Sequence, residues 1–550
     1  MEEPTITSQK QVVNKLLLEM GLADTAGDKT PAKENAPGSS SVDEPKLRIS
    51  DLPFIDLGKV TTDPVAVGLV PEAMARKHRV LPLTFEGDYL ILAMADPGDM
   101  EALETIAVQT GKKIRPVQGK PEDIKRAINL YYRAGGEIEK QVAKLPSEPK
   151  DEQNEGDGRL ATIIAQTPVA RIVDLLIEQA VKDRASDIHI EPQEHGLEVR
   201  YRVDGLLQNA ASLPISLHPA LVSRIKVLAG MNIAERRRPQ DGQFSKRLGD
   251  KDIDVRVATS ESLCGEMMVL RILDKSASLF DLSELGFLPG SLDKYKKLLS
   301  RKFGLILVSG PTGSGKTTTL YASINTMDKK HQNIITVEDP IEYRFQGINQ
   351  MQVNNKAGLT FATGLRSIMR LDPNIILVGE IRDTETAKIA VQAALTGHLV
   401  LSTIHANDTG AVLLRLLDLG VEPFLIWSAV AGVIAQRMLR RICPHCQIPY
   451  EPTLEERIAY EQEIGEIGQF TQGEGCNFCG NTGYRGRIGV YEIMPMSDEI
   501  GALVLSRAGV KDIRAQALKE GMISMRRDGM LKVKQGITTT SEVIRNLFYS

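Results

Sequence analysis

The chain has 550 residues, 42% of them hydrophobic, enough for several buried cores and more than one domain. A formal net charge of −4 excludes the basic bias of a dedicated nucleic-acid binder, and aperiodic glycine and proline exclude a fibrous protein. The N-terminus, MEEPTITSQKQ, has the wrong charge order for an export signal, and no apolar run approaches the roughly 20 residues of a membrane-spanning helix. Membrane association is therefore expected only through a partner or a surface face. Four of the five cysteines have metal-ligand spacing, which fits the reducing cytoplasm.

Residues 1–55 hold one short helical pattern, VVNKLLLEMG at 12–21, and then a stretch rich in Gly, Ser, Pro and charge, expected to be a flexible arm. A small α/β unit is expected over 56–135. In it VPEAMARKHRV is helix-like, LPLTFEGDYLILAMA is a strand pair turning at Glu86–Gly87, and DMEALETIAVQTG returns to helix. A linker over 136–158 leads to a second α/β unit at 159–275. There TPVARIVDLLIEQAVKDRA is an amphipathic helix, DIHIEPQ and EVRYRVDG alternate as strands, and HPALVSRIKVLAG is a further helix. GQFSKRL, KDIDVRVAT and GEMMVLRIL are three more strand candidates, while Arg236, Arg237 and Arg238 form a basic run suited to a surface or subunit contact. The segment DKSASLFDLSELGFLPG bridges into the last unit, 276–550.

That unit opens on the sharpest signal, GLILVSGPTGSGKTTTL. A buried strand over Leu305–Val308 delivers Gly310, Pro311, Thr312, Gly313, Ser314, Gly315, Lys316, Thr317 and Thr318 into a loop that starts a helix. Glycines let the backbone approach phosphates closely, and successive N–H groups at a helix start supply positive potential. Lys316 is suited to the β- and γ-phosphates of ATP and Thr317 to Mg²⁺. A second strand, NIITVEDPIEY, ends at Glu338. A third, NIILVGEIRD, has Gly379 where an acid is expected directly after the strand, which shifts the acidic role to Glu380. Acids at neighbouring parallel strand ends can organise the metal or the attacking water, the reading preferred for Glu338, although an acid near Pro340 can also merely cap a turn. TGHLVLSTIHANDT is another strand ending in polar groups. His405 can sense the γ-phosphate or hold a carboxylate, or be a satisfied structural histidine; His398, before the strand, can be a local cap.

Cys443 and Cys446 form one Cys-x2-Cys pair and Cys476 and Cys479 another, 29 residues apart. Four thiolates suit a closed tetrahedral Zn²⁺ site of structural type about 440–490, with no open position for catalysis. Cys264 is remote and reads as a plain thiol.

In this order the motifs resemble those of the type II secretion and type IV pilus assembly ATPases, a family of hexameric motors. GPTGSGKT matches the phosphate loop, ITVEDPIEY the acidic box, ILVGEIRD the atypical Walker B segment and LSTIHANDT the histidine box; ASDIHIEP and YRVDG match the domain before the motor. The resemblance, over about 56–550, implies an α/β fold: a RecA-like P-loop core preceded by a PAS-like domain and a small N-terminal α/β domain, with a tetracysteine zinc element. It gives Lys316, Thr317, Glu338, Glu380 and His405 the roles already inferred. It adds Arg256 and Arg271, carried by the preceding domain toward the phosphates, and Arg366 and Arg370, near the nucleotide or a subunit boundary. Pattern alone leaves Arg256 and Arg271 as outward residues on half-buried strands.

The resemblance also implies an ATP- and Mg²⁺-dependent homohexamer at the inner face of the inner membrane, working on a platform protein of a pilus or secretion machine, with no nucleic acid expected. Some relatives carry a cyclic-di-GMP module of paired RLG-type segments. This chain has only GLAD at 21–24, without the matching arginine, so strong dinucleotide binding is not expected. A DNA-translocating or conjugation-related ATPase is the alternative, and a non-hydrolysing adaptor a third reading. Intact Lys316, Thr317, Glu338 and Glu380 speak against the adaptor, and the tetracysteine insert and N-terminal unit against the DNA branch.

Overall fold

The computed structural model describes residues 53–132, 168–274 and 281–548, apart from 59, 61, 250 and 467. The helical pattern at 12–21, the GLAD segment, the linker over 136–158 and nearly all of the N-terminal arm lie outside the described residues. These residues form two compact units, 53–132 with Gly475–Thr482, and 168–474 with 483–548. Among them no helix is long and apolar enough to cross a membrane.

In the N-terminal unit, strands β1 (Val80–Glu86) and β2 (Tyr89–Met94) make an antiparallel hairpin, and β3 (Lys113–Gln118) joins β2 in parallel. A parallel pair needs a crossover, here the helix Met100–Thr110. Asp99 caps its start by accepting from Ala102 N at 3.0 Å, and Gly111 ends it in the left-handed region at φ 64°. Leu81, Leu83, Leu90, Leu92, Ile106 and Ile124 form the core. The separate segment Gly475–Thr482 joins this unit through Phe478, which packs against that core, and through Asn477, whose Nδ2 donates to Tyr131 Oη at 2.7 Å.

The second unit begins with a six-stranded antiparallel sheet in the order β6–β5–β4–β9–β8–β7. The strands are β4 (Asp187–Gln193), β5 (Gly196–Val203), β6 (Leu206–Leu213), β7 (Gln240–Leu248), β8 (Lys251–Ser262) and β9 (Gly265–Asp274). Period-two alternation sets its faces: Ile253, Val255 and Val257 of β8 are buried, while Asp254 and Arg256 face away from them. The helix Pro168–Lys182 buries Ile172, Val173, Leu176 and Ala180 on the spacing expected of an amphipathic helix.

The larger sheet has the order β12–β11–β13–β14–β10–β15–β18. Its strands are β10 (Gly304–Ser309), β11 (Ile334–Glu338), β12 (Asn349–Gln352), β13 (Ile375–Val378), β14 (Leu399–Ile404), β15 (Val430–Ile442) and β18 (Tyr484–Pro495). All neighbours are parallel except β15 and β18. Helices on both faces explain why GLILVS, IILV and LVLSTI are buried throughout, with no polar side to turn to water. Leu305, Leu307, Ile376 and Val400 enter one core and Ile306, Val308, Leu377 and Leu401 the other. Each such side chain contributes about 1.5–3 kcal/mol on burial. Between β15 and β18 in sequence lies a short antiparallel pair, β16 (Gln447–Pro449) with β17 (Thr471–Gly473), joined through the helix Leu454–Ile464.

At the outer edge, β18 has no strand beyond it, yet its Tyr491 N–H is not left unmet: it donates to Asp528 Oδ2 at 2.7 Å from the helix Met525–Lys534. Asp528 also pairs with Lys532, and both side chains are buried. Burial pushes the Asp528 carboxyl up and the Lys532 amine down, and their mutual attraction opposes both shifts. Asp528→Ala would leave a buried ammonium and a buried N–H without partners, an expected loss of about 3–5 kcal/mol. The single tryptophan, Trp427, lies in the same unit, so a lowered urea midpoint in its fluorescence checks this.

Candidate functional site

The site grows from the ends of parallel strands. β10 stops at Ser309, and the chain turns through Gly310–Gly315 before the helix Lys316–Asn325. Gly310 (φ 148°) and Gly315 (φ 85°) adopt backbone that disfavours side chains. A Cβ on Gly310 would also lie 2.4 Å from Gln436 O and 2.6 Å from Ser314 Oγ. Gln436, from β15, pins the loop: its Nε2 donates to Ser314 O at 2.7 Å and its Oε1 accepts from Thr319 Oγ1 at 2.7 Å. Ser314 Oγ is buried with no hydrogen-bond partner, a polar atom awaiting a ligand or water in a loop shaped for anions.

Lys316 lies folded over this loop, Nζ donating to Gly310 O at 2.8 Å and to Pro311 O at 3.1 Å. Burial lowers its pKa, and the nearby Glu380 carboxylate counters that shift. Thr317 is half-buried at the helix start, while Pro311, Thr312, Gly313 and Thr318 are exposed along the loop and open to a ligand. Glu380 follows β13 by two residues, and His405 follows β14 directly. The His405 Nε2 is 2.7 Å from Glu380 Oε1, and Arg382 Nε donates to Glu380 Oε2 at 2.5 Å. Lys316, Glu380 and His405 are thus brought together at one sheet edge. His398 instead bonds Ala393 O through Nδ1 at 2.9 Å, closing the helix Thr384–Leu395.

Glu338 has a different setting. It ends β11 fully buried, accepting from the Tyr321 hydroxyl, from Thr336 Oγ1 at 2.6 Å and from Gln350 Nε2 at 3.2 Å. The Tyr321 hydroxyl in turn accepts from Glu342 N at 3.2 Å, so Glu338 anchors the loop after β11. Burial also raises the Tyr321 pKa, reinforced by the Glu338 charge.

Arg256 and Arg271 sit directly opposite each other on β8 and β9, and Arg271 opposite Asp187 on β4. Like charges facing across a ladder are unfavourable. Arg271 Nε donates to Asp187 Oδ1 at 2.9 Å, and Arg256 reaches Ile341 O, in the loop after β11, at 3.4 Å. Both arginines line a cavity of about 570 Å³ with Asp187, Asp241 and Pro340. Glu342 lies within electrostatic reach of both; burial raises its pKa and Arg256 opposes that. Arg366 pairs with Glu385 at 2.6 Å and Arg370 is exposed after the helix Phe361–Ile368; none of the described bonds joins either to the phosphate loop.

Cys443 and Cys446 are buried in the second unit, and Cys476 and Cys479 are buried in the segment Gly475–Thr482. Cys476 Sγ and Cys479 Sγ are 3.7 Å apart, close to the edge of a tetrahedron built on zinc–sulfur bonds of about 2.3 Å, so this pair fits zinc.

Sequence reasoning missed Gln436 and Arg382. Gln436 lies in VAGVIAQRMLRRI, where a lone amide has no motif; Arg382 lies inside GEIRD and was legible as a charged neighbour of Glu380. The settings of the two glutamates predict opposite responses. Glu338→Ala strands buried donors at about 1–3 kcal/mol each, whereas Glu380→Ala releases Arg382 and His405, which are exposed and can turn to water, and should cost less. Urea unfolding of the two variants checks the difference.

Residues 164–545 match the family model described as "Type II/IV secretion system protein", and 50–138 the model described as "MshEN domain". The type IV pilus assembly ATPase PilB of Myxococcus xanthus is 42% identical over 503 residues, covering 90% of this chain and 89% of that one. The type II secretion system ATPase E of Vibrio cholerae is 47% identical over 378 residues, covering 69% and 75%. Among solved structures, the Legionella pneumophila ATPase DotB superposes with a TM-score of 0.51 at 21% identity, covering 68% of this chain and 94% of that one, a likeness of fold alone. With the motifs seated at one sheet edge and the family model spanning most of the sequence, the chain belongs to the type II/IV secretion system protein family.

Proposed function

We propose that this chain is a Mg²⁺-dependent ATPase whose turnover drives type IV pilus assembly or type II protein secretion. The observation that carries the reading is the meeting of Lys316, Glu380 and His405 beside the phosphate loop. Loop N–H groups and Lys316 would hold the phosphates, with Thr317 and Glu380 as the candidate Mg²⁺ organisers. Bound Mg²⁺ would neutralise charge on the β- and γ-oxygens. Glu380 is the acid placed to orient and deprotonate a water: its Oε1 is buried, lies 2.7 Å from His405 Nε2 and makes no hydrogen bond in the described structure. Glu338 supports the site from beneath, as the acceptor that fixes the loop after β11.

Arg256 and Arg271 are the candidates to close on the phosphates from the six-stranded sheet, because they face each other and line one cavity, with Asp187 bonded to Arg271. Arg366 and Arg370 remain candidates for a subunit boundary. The motif resemblance supports a homohexamer acting with an inner-membrane platform protein at the cytoplasmic face. The relatives' names belong to pilus assembly and type II secretion, so the DNA-translocating alternative is not favoured.

Lys316→Ala is expected to abolish turnover. Glu380→Gln is expected to bind ATP and hydrolyse it at least about 10²-fold more slowly. A steady-state phosphate-release assay in which Glu380→Gln kept the wild-type kcat would overturn the assignment. For the metal, elemental analysis of reduced, folded protein should find one zinc per chain, lost with reduced folding stability in Cys443→Ser or Cys479→Ser. Light scattering alongside an activity titration tests the ring: a monomer with full, concentration-independent activity would refute it.

A further inference from the structure

Strand β15 outruns its neighbour. β10 ends with Ser309 paired to Ala435, but β15 continues to Ile442, held on its other side by β18, where Gln436 pairs with Tyr491 and Arg437 with Val490. The residues just beyond Ala435 therefore lie beside the phosphate loop rather than beside a strand. Successive side chains point to opposite faces. Gln436 takes the face that pins Ser314 and Thr319, so Arg437 takes the other, where its guanidinium donates to Asn407 Oδ1 at 3.3 Å. Asn407 lies two residues beyond His405, in the loop that touches Glu380.

The charges there do not balance. Arg437 is half-buried, and its one described side-chain hydrogen bond goes to a neutral amide. Burial lowers its pKa, and it acts on Lys316 as a neighbouring positive charge. Glu380, the carboxylate in reach of Lys316, is already shared by Arg382 and His405. A guanidinium withdrawn from water without a carboxylate is unfavourable unless an anion completes the site. A guanidinium is suited to that anion, since its planar fork matches two oxygens of a phosphoryl group.

We propose that Arg437 is a second phosphate ligand supplied in cis, its guanidinium binding the terminal phosphoryl oxygens of the nucleotide opposite Lys316. Through Asn407 the same side chain reaches the His405 loop, so phosphate occupancy is felt where Glu380 is held. The assignment rests on the ATPase reading above and adds a residue to that site.

The test uses the full chain with Arg437→Gln and Arg437→Lys, beside wild type and Lys316→Ala. Steady-state hydrolysis and melting temperature with and without MgADP or the slowly hydrolysed analogue MgATPγS are measured. Arg437→Gln is expected to lower kcat/KM about 10²-fold or more, the scale for losing one preorganised donor to developing charge. Its melting temperature without nucleotide should match or exceed the wild type, because an uncompensated charge has been removed, and the rise on adding MgATPγS should shrink. Arg437→Lys, which keeps the charge and loses the fork, should recover part of both. Wild-type kcat/KM and an undiminished nucleotide shift in Arg437→Gln would overturn the proposal. So would a lower melting temperature without nucleotide combined with an unchanged shift, which is the mark of a structural role. A wild-type chain that neither hydrolyses ATP nor gains stability from nucleotide would overturn the ATPase reading along with it.

Discussion

Everything at the site depends on β10, β11, β13 and β14 being buried on both faces. A strand covered on both faces has no place for a charged side chain along its length, so charged groups can appear only where the strand ends. In a parallel sheet those ends lie on one edge. The four strands are neighbours in the order β11–β13–β14–β10. The phosphate loop, Glu338, Glu380 and His405 therefore gather by the same rule that keeps Leu305–Val308 dry. Chemistry at the edge and apolar burial below it are one constraint seen from two sides.

The same constraint separates the two glutamates that look equivalent in sequence. Glu338 is still the last residue of β11 and remains within the buried layer, so its charge must be met by donors: the Tyr321 and Thr336 hydroxyls and the Gln350 amide. Glu380 lies two residues past β13, itself only 12% exposed, and its charged partners Arg382 and His405 are exposed. One acid holds a loop in place; the other sits against cations that face water. Two residues of chain, about 7 Å of extended backbone, change the task of a carboxylate.

This is also where the sequence was legible and where it was not. Continuous apolar runs such as GLILVS and NIILV, and alternating ones such as KDIDVRVAT, could be read because period and burial are local properties. The phosphate loop was legible because glycine is forced where the backbone must take positive φ against Gln436. Gln436 itself was not, because what makes it a clamp is that β15 lies next to β10, a pairing between residues more than a hundred positions apart. Strands β15 and β18, with arginines in their runs, carry no signal that they complete the larger sheet. The place of Asn477 and Phe478 in the N-terminal unit was equally invisible, since the Cys-x2-Cys spacing describes a metal knuckle and not its packing.

The cations follow a pattern of their own. On the six-stranded sheet Arg256 faces Arg271, and the row continues to Asp187 and then Arg202, so one carboxylate stands among three guanidinium groups. Such an arrangement is unfavourable without an anion, and each arginine added to it makes anion binding more favourable. The loop after β11 closes one side of this row, with Ile341 O accepting from Arg256 and Glu342 near both arginines, its carboxyl pushed up by burial. A phosphate entering the row would compete with Glu342 for the same donors. The loop that would yield is the one tethered to Glu338 through Tyr321. Charge on the six-stranded sheet is thereby tied to the position of a strand end in the larger sheet, and an anion that bound the row would bias that loop.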